Sequence, residues 1–181
     1  MYYFIIILLY YYIIILLYYY IMKITLRYLP KRLTRKDKIK QKKSLLKSRR
    51  LYKKGIYYTR KNVKSFTSKK SNHITKAEKI YNVDNIGLTP KLIKATGCSK
   101  KALAKIINKG EGAYFSSGSR PNQTAQSWGI ARLASAITSG KAAAVDYNIL
   151  EKGCTPNSKA LRLAKIARKK HGHGTRRVPK I

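Results

Sequence analysis

Beyond residue 71 the chain is divided by helix-start and helix-stop residues set so close together that only short helices fit between them. Thr75 followed by Glu78 matches a capping box ahead of a short helix over residues 76–81. Thr89 before Pro90 sets an N-cap hydroxyl beside a residue whose fixed φ suits the first helical position. The helix they open should run to Gly97, which tolerates the positive φ of a C-terminal stop. Ser99 caps the next helix, expected over residues 101–108 and ending near Gly110. A Gly- and Ser-rich loop, GEGAYFSSGSRPNQT, follows. Gln123 or Thr124 then opens a helix that ends at Gly140, with Trp128, Ala131, Leu133, Ala134 and Ile137 on its buried side. A further short helix is expected over residues 145–152. Thr155 and Pro156 restart the chain, and NSKALRLAKIARKK makes a basic amphipathic helix over residues 158–170. No run sustains β alternation beyond a few residues near 24–28 and 56–59. The fold class is therefore mainly α. A small helical domain over about residues 71–170 is preceded by a basic, partly helical arm over residues 22–70 and followed by a disordered basic tail over residues 171–181.

The arm reads KRLTRKDKIKQKKSLLKSRRLYKKG and then YYTRKNVKSFTSKK. Thr34 and Asp37 resemble a capping box, and Gly55 suits the first position past a helix end. Ile39, Leu45, Leu46 and Leu51 give only a thin apolar stripe, so this helix is expected to form against a polyanion and to fray without one. Across the whole chain 41 Lys and Arg stand against 6 Asp and Glu, a formal net charge of +35. An excess of that size points to a polyanionic partner, nucleic acid before an anionic membrane surface. Lys42, Lys43, Arg49, Arg50, Lys53, Lys54 and Arg60 are the arm's candidate phosphate contacts. Tyr52, Tyr57, Tyr58 and Phe66 are interleaved with them, to stack on bases or to pack on the core. A solvated tail or a nuclear-import signal at KKSLLKSRR is the plainer alternative.

The acids Asp37, Glu78, Asp84, Glu111, Asp146 and Glu151 are scattered, and His73, His171 and His173 form no ligand spacing with them. No carboxylate pair, metal cluster or nucleophile with a base is legible, so no enzyme, metal or cofactor is expected. Cys98 and Cys154 lack CxxC spacing. Two free thiols are expected of an intracellular chain, with one disulfide as the alternative.

The N-terminus differs from everything after it. Tyr2–Ile21 holds no charge, Gly or Pro, and as a helix would rise about 30 Å, the thickness of a bilayer's hydrocarbon core. Tyrosines near both ends and Lys23, Arg27, Lys31 and Arg32 beyond would suit a span with the basic body in the cytoplasm. Yet residues 5–12 and 13–20 both read IIILLYYY, an identical copy that an A/T-rich tandem repeat would give. Tyr10, Tyr11 and Tyr12 would also set three phenols at the bilayer centre, where each hydroxyl wants a partner. Residues 1–21 are accordingly expected to be either a mis-set start ahead of Met22 or a transmembrane helix. A membrane is a partner only if residues 2–21 are translated.

Two stretches carry the strongest functional signals. Residues 92–108, LIKATGCSKKALAKIIN, read as two helices with a tight turn inside an expected unit over residues 89–109. Ala95 is small at the crossing, Gly97 turns, Ser99 caps, and Leu92, Leu103, Ile106 and Ile107 share a core. In that order the segment resembles the helix-turn-helix of lac-repressor-type regulators. Where that family offers base-reading side chains, however, this chain has Lys100 and Lys101, followed by Lys105. Lysines there imply phosphate contact without sequence reading. An ordinary αα corner is the alternative. In the second stretch, residues 110–135, Ser117, Ser119 and Arg120 form a candidate phosphate nest, in which backbone N–H groups would face an anion. The spacing GxxxxGK[ST] of a nucleotide P-loop is not present, and the alternative is a structural loop closed by Tyr114, Phe115 and Trp128.

Residues 34–154, above all KGEGAYFSSGSRPNQTAQSWGIARLASAITSGKAAAVDYNILEKGC, resemble an uncharacterised protein family of nucleocytoplasmic large DNA viruses that infect algae and protists. Looser bacteriophage relatives share the pattern GAxxxxGxRP…WxxAR. The resemblance implies a viral origin and an A/T-rich genome, and it brings no mechanism. Members begin near KRLTRKDKIKQKKSLLKSRR, so residues 1–21 depart from the family. The expected function is a non-enzymatic viral nucleic-acid-binding protein, genome- or virion-associated, that grips phosphates without reading sequence, DNA before RNA. The alternative is a virion structural or scaffolding protein, with other virion proteins as partners, anchored through residues 2–21. The expected location is the virion and the infected cell's cytoplasm or nucleus.

Overall fold

The computed structural model describes residues 2–21 and 24–174. The chain is mainly α. Helix α1 (Tyr2–Ile21) and a 3-10 turn (Leu26–Tyr28) precede α2 (Arg35–Tyr52), α3 (Asn72–Tyr81), α4 (Pro90–Thr96) and α5 (Lys100–Ser116). Then come α6 (Ala125–Ile137), α7 (Lys141–Val145), α8 (Tyr147–Gly153) and α9 (Lys159–His171). Among the described residues there is no strand. Residues 24–28 are largely the 3-10 turn and residues 56–59 are irregular.

The capping residues do what their chemistry suggests. The hydroxyls of Thr34, Thr89, Ser99 and Ser158 accept from Asp37, Leu92, Ala102 and Leu161 backbone N–H groups. Thr124 and Ser127 form a reciprocal capping box, with both bonds at 3.0 Å. Helix α3 starts earlier than Thr75 because Ser71 is its cap, accepting from the His73 N–H, and Glu78 pairs with Lys70 at 2.7 Å instead of closing a box.

Helix α5 does not stop near Gly110. It runs on through Gly110 and Gly112 to Ser116, so the first part of the expected loop is helical. The reason is the crossing with α6. A Cβ on Gly110 would lie 2.6 Å from the Cα of Gly129, and one on Gly129 would lie 2.9 Å from the Ile107 carbonyl oxygen. These glycines let two backbones touch. The contact offsets the helix propensity each gives up, roughly 1 kcal/mol relative to Ala.

Around this pair the main core gathers Leu103, Ile106, Ile107, Leu133 and Ile137. Helix α3 joins it through Ala77 and Tyr81, whose hydroxyl donates to the Ile137 carbonyl at 2.7 Å. Burial pushes that phenol's pKa well above its ordinary value. Helix α9 lays Ala160, Ala164 and Ala167 along α7 and α8, and an alanine face permits a close approach. The wholly buried Asp146 carboxylate ties three elements together. Arg132 of α6 grips it through two bonds, at 2.7 and 2.8 Å, and Lys109 of α5 adds an ion pair at 2.6 Å.

Cys98 and Cys154 form a disulfide, contrary to the free thiols expected. Backbone pairing brings them together. Ser99 N–H donates to the Gly153 carbonyl at 2.7 Å and Thr155 N–H to the Gly97 carbonyl at 2.8 Å. The cysteines therefore face each other as a non-hydrogen-bonded antiparallel pair, where side chains lie nearest.

The arm is not a detached tail. Gln41, Leu45 and Ser48, spaced by four and three residues, turn one side of α2 inward against α5 and the loop after it. Leu45 packs with Ile24, Tyr28 and Leu29, with Trp128 against them, and Leu33, Val63 and Phe66 make a small third cluster. The expected C-terminal tail likewise begins folded, for His171 ends α9 and Gly174 is buried against Val145. Residues 175–181, like the alternative start at Met22, lie outside the described residues. On α1 the side chains of Tyr3 and residues 5–13 are described, and all are exposed. Among the described residues no helix is long and apolar enough to cross a membrane.

If the Gly110–Gly129 contact sets the α5–α6 distance, Gly110→Ala will lower unfolding stability by about 1–3 kcal/mol despite its better helix propensity. Urea denaturation followed by circular dichroism measures this, and an unchanged or raised midpoint would contradict the packing described.

Candidate nucleic-acid interface

Opposite its buried side, α2 presents Lys36, Lys40, Lys43, Lys47 and Arg50, with Lys54 just past its end. Their spacing of four, three, four, three and four residues makes one exposed stripe about 27 Å long at 1.5 Å per residue. Lys40 Nζ donates to the Asn62 carbonyl at 2.8 Å, and the Lys47 ammonium lies 4.7 Å from the centre of the Tyr58 ring. Lys42 and Lys53 are exposed on the flank of the stripe.

Two cations expected to contact phosphate are turned inward instead. Arg60 is only 7% exposed, and its Nη1 donates to Ser48 Oγ at 3.1 Å and to the Tyr114 carbonyl at 2.8 Å. Its Nη2 donates to Ser119 Oγ at 2.7 Å, and the guanidinium stacks 3.6 Å from the Tyr114 ring centre. Burial pulls its pKa below the ordinary arginine value, with the Tyr114 and Tyr28 phenols opposing the shift; a guanidinium stays charged in proteins all the same. Arg49 is half-buried and reaches the Ser117 carbonyl through Nε at 3.1 Å and Nη2 at 2.7 Å. Both cations sit on the C-terminal end of α5, where carbonyls and the helix dipole favour positive charge.

The same geometry corrects the expected nest at Ser117, Ser119 and Arg120. The segment follows a helix C-terminus, and the N–H groups of Ser117 and Gly118 both donate back to the Ala113 carbonyl. Ser119 is wholly buried and Arg120 is exposed. What the loop holds is the arm. Asn122, at φ 56°, accepts from Val63 N–H at 2.8 Å and donates to the Val63 and Phe66 carbonyls. Ser68 donates to the Pro121 and Asn122 carbonyls, and Gln41 Nε2 donates to the Tyr28 and Ser119 carbonyls at 3.4 Å each.

Lys100, Lys101 and Lys105 are exposed on the N-terminal half of α5, at the end away from α2. The turn between α4 and α5 is formed as expected, with Gly97 at φ 67°, and it is backed by the segment 153–155 through the disulfide. Sequence reasoning passed over Lys36, Lys40 and Lys47, although their alternating four- and three-residue spacing with Lys43 and Arg50 marks a single helix face.

The acids leave this positive surface largely unopposed. Asp146 is buried, Asp37 accepts from the Ser65 N–H and hydroxyl at 2.8 and 2.7 Å, and Glu78 holds Lys70. The Ser65 hydroxyl and N–H hold the Asp37 carboxyl below the usual carboxylate range. Among the described residues no His, Cys, Asp and Glu converge as metal ligands.

Residues 25–171 match the family of unknown function DUF5824, and the chain belongs to it. The match spans α2 to α9, so arm and body are one family unit, while α1 precedes it. No curated protein and no solved structure matches the chain.

Arg60→Ala is expected to cost about 2–4 kcal/mol, from lost hydrogen bonds to a charged group and the cavity left behind. It should also speed tryptic cleavage between residues 53 and 69. Cleavage at the wild-type rate would show that Arg60 does not hold the arm.

Proposed function

We propose that this protein is a non-enzymatic nucleic-acid-binding protein that grips phosphates without reading sequence, in association with the genome or virion of a large DNA virus. The observation that carries the proposal is the α2 stripe: an unbroken row of exposed cations on a helix whose opposite face is fixed to the body. A polyanion meeting such a row neutralises several of its phosphates together and releases their counterions. Lys100, Lys101 and Lys105 supply a second contact, and lysines in the first turn of α5 suit phosphate better than base edges. The viral assignment rests on the resemblance of residues 34–154.

A second reading, a virion structural protein anchored through α1, is favoured by one observation, the exposure of apolar residues 5–13 on that helix. It predicts association with lipid vesicles that persists after nuclease treatment.

The primary reading is tested by affinity for DNA across salt. With about eight phosphates neutralised, affinity should fall roughly 10³–10⁵-fold between 50 and 200 mM salt. Replacing Lys43, Lys47 and Arg50 with Ala should flatten the slope of log affinity against log salt by about one for each cation removed. Salt-insensitive binding, or none, would reject this function.

A further inference from the structure

Just past the C-terminal end of α2 the chain carries more than charge. Gly55, at φ 76°, closes a Schellman motif, in which Gly55 N–H donates to the Tyr52 carbonyl and Ile56 N–H to the Leu51 carbonyl, both at 3.0 Å. A few residues on, Arg60 N–H is fixed to the Tyr114 hydroxyl at 3.2 Å. The short run between these two anchors is therefore held, and it lifts Tyr57 out of the surface. Tyr57 is 69% exposed and Ile56 is 52% exposed.

Beneath Tyr57 lies a pedestal of rings. Phe115 meets it edge-to-face with centroids 5.1 Å apart, and Tyr52 does so at 5.9 Å. Tyr52 and Phe115 themselves stand 6.3 Å apart and within 7° of parallel. Ordinary packing would bury an aromatic ring, and here one is supported from below and left open. The exposed Lys53 and Lys54 stand within four residues of it in the chain.

We infer that Tyr57, on its Tyr52–Phe115 pedestal, is a stacking platform for an unpaired base, so that the protein's preferred ligand is single-stranded nucleic acid. The inference rests on the proposed phosphate-binding function and deepens it. The chemistry is that of single-strand recognition: cations track the backbone while an aromatic face takes a base, indifferent to its identity because every base has a π-face. A duplex keeps its bases stacked on one another and offers Tyr57 nothing.

The test compares the full chain with its Tyr57→Ala variant on three probes of equal length: a thymidine oligonucleotide, the same backbone with abasic sites, and a duplex. Tyr57→Ala should weaken binding to the thymidine strand about 5- to 150-fold, the range carried by one base–aromatic stack, and leave abasic and duplex binding unchanged. Wild-type affinity for the abasic strand should already sit at the variant's level. A Tyr57→Trp variant keeps the ring and reports directly, its fluorescence being quenched by the thymidine strand and not by the duplex. An equal loss on all three probes, or no loss on the thymidine strand, overturns the platform and leaves the phosphate-binding function standing. So does polyglutamate that competes as well as the oligonucleotide, or a wild-type dimer that Tyr57→Ala abolishes. Wild-type protein that binds no nucleic acid overturns both.

Discussion

A guanidinium buried with no carboxylate is the constraint on which the basic half of this protein depends. Taking Arg60 out of water costs several kcal/mol, and among the described residues none of the ion pairs involves it. The cost is offset by the end of a helix. The Tyr114 carbonyl near the end of α5, two serine hydroxyls and the face of Tyr114 together do what a counter-acid would otherwise do. The contributors belong to α2, α5 and the α5–α6 connection. The arm's fold therefore requires α5 to end where it does. An α5 that stopped near Gly110 would leave neither the Tyr114 carbonyl nor its ring in reach.

Helix boundaries were legible where they depended on local chemistry, as at Thr34, Thr89, Ser99, Thr124 and Ser158. They were not legible where tertiary contact overrode propensity. Gly110 looks like a stop because an isolated helix would fray there, and only the presence of Gly129 opposite makes it an interior residue. The packing of α2 was hidden for a different reason. Its inward face is Gln41, Leu45 and Ser48, and two of those three are polar, so hydropathy alone shows little. Likewise nothing in sequence separates Arg49 and Arg60 from the cations that remain outside. The distinction arises from the carbonyls they meet, which belong to residues more than fifty positions away. The disulfide was hidden too, since it depends on a backbone pairing between two turns.

The division of charge follows from scarcity. With six acids in 181 residues, each acid placed inside removes a competitor from the surface. Asp146 consumes Lys109 and Arg132 in the interior, and Asp37, kept ionised by Ser65, is left as the one acid on α2 itself. The family match from residue 25 to residue 171 takes in both the anchored arm and the body that anchors it. The loop between α5 and α6, so distinctive in sequence, is explained as the bracket that joins them.

The bond between Cys98 and Cys154 also has a mechanical meaning. It closes a covalent ring around α5, α6, α7 and α8, with a sequence separation of 56 residues, and leaves α2 and α9 outside it. Tension applied between the two ends of the chain passes from α4 through the two sulfurs into the segment leading to α9. The ring is bypassed and stays slack. A protein pulled from both ends, as one holding a strand under tension would be, gives up its outer helices first and keeps its central four as a closed, unloaded knot of structure.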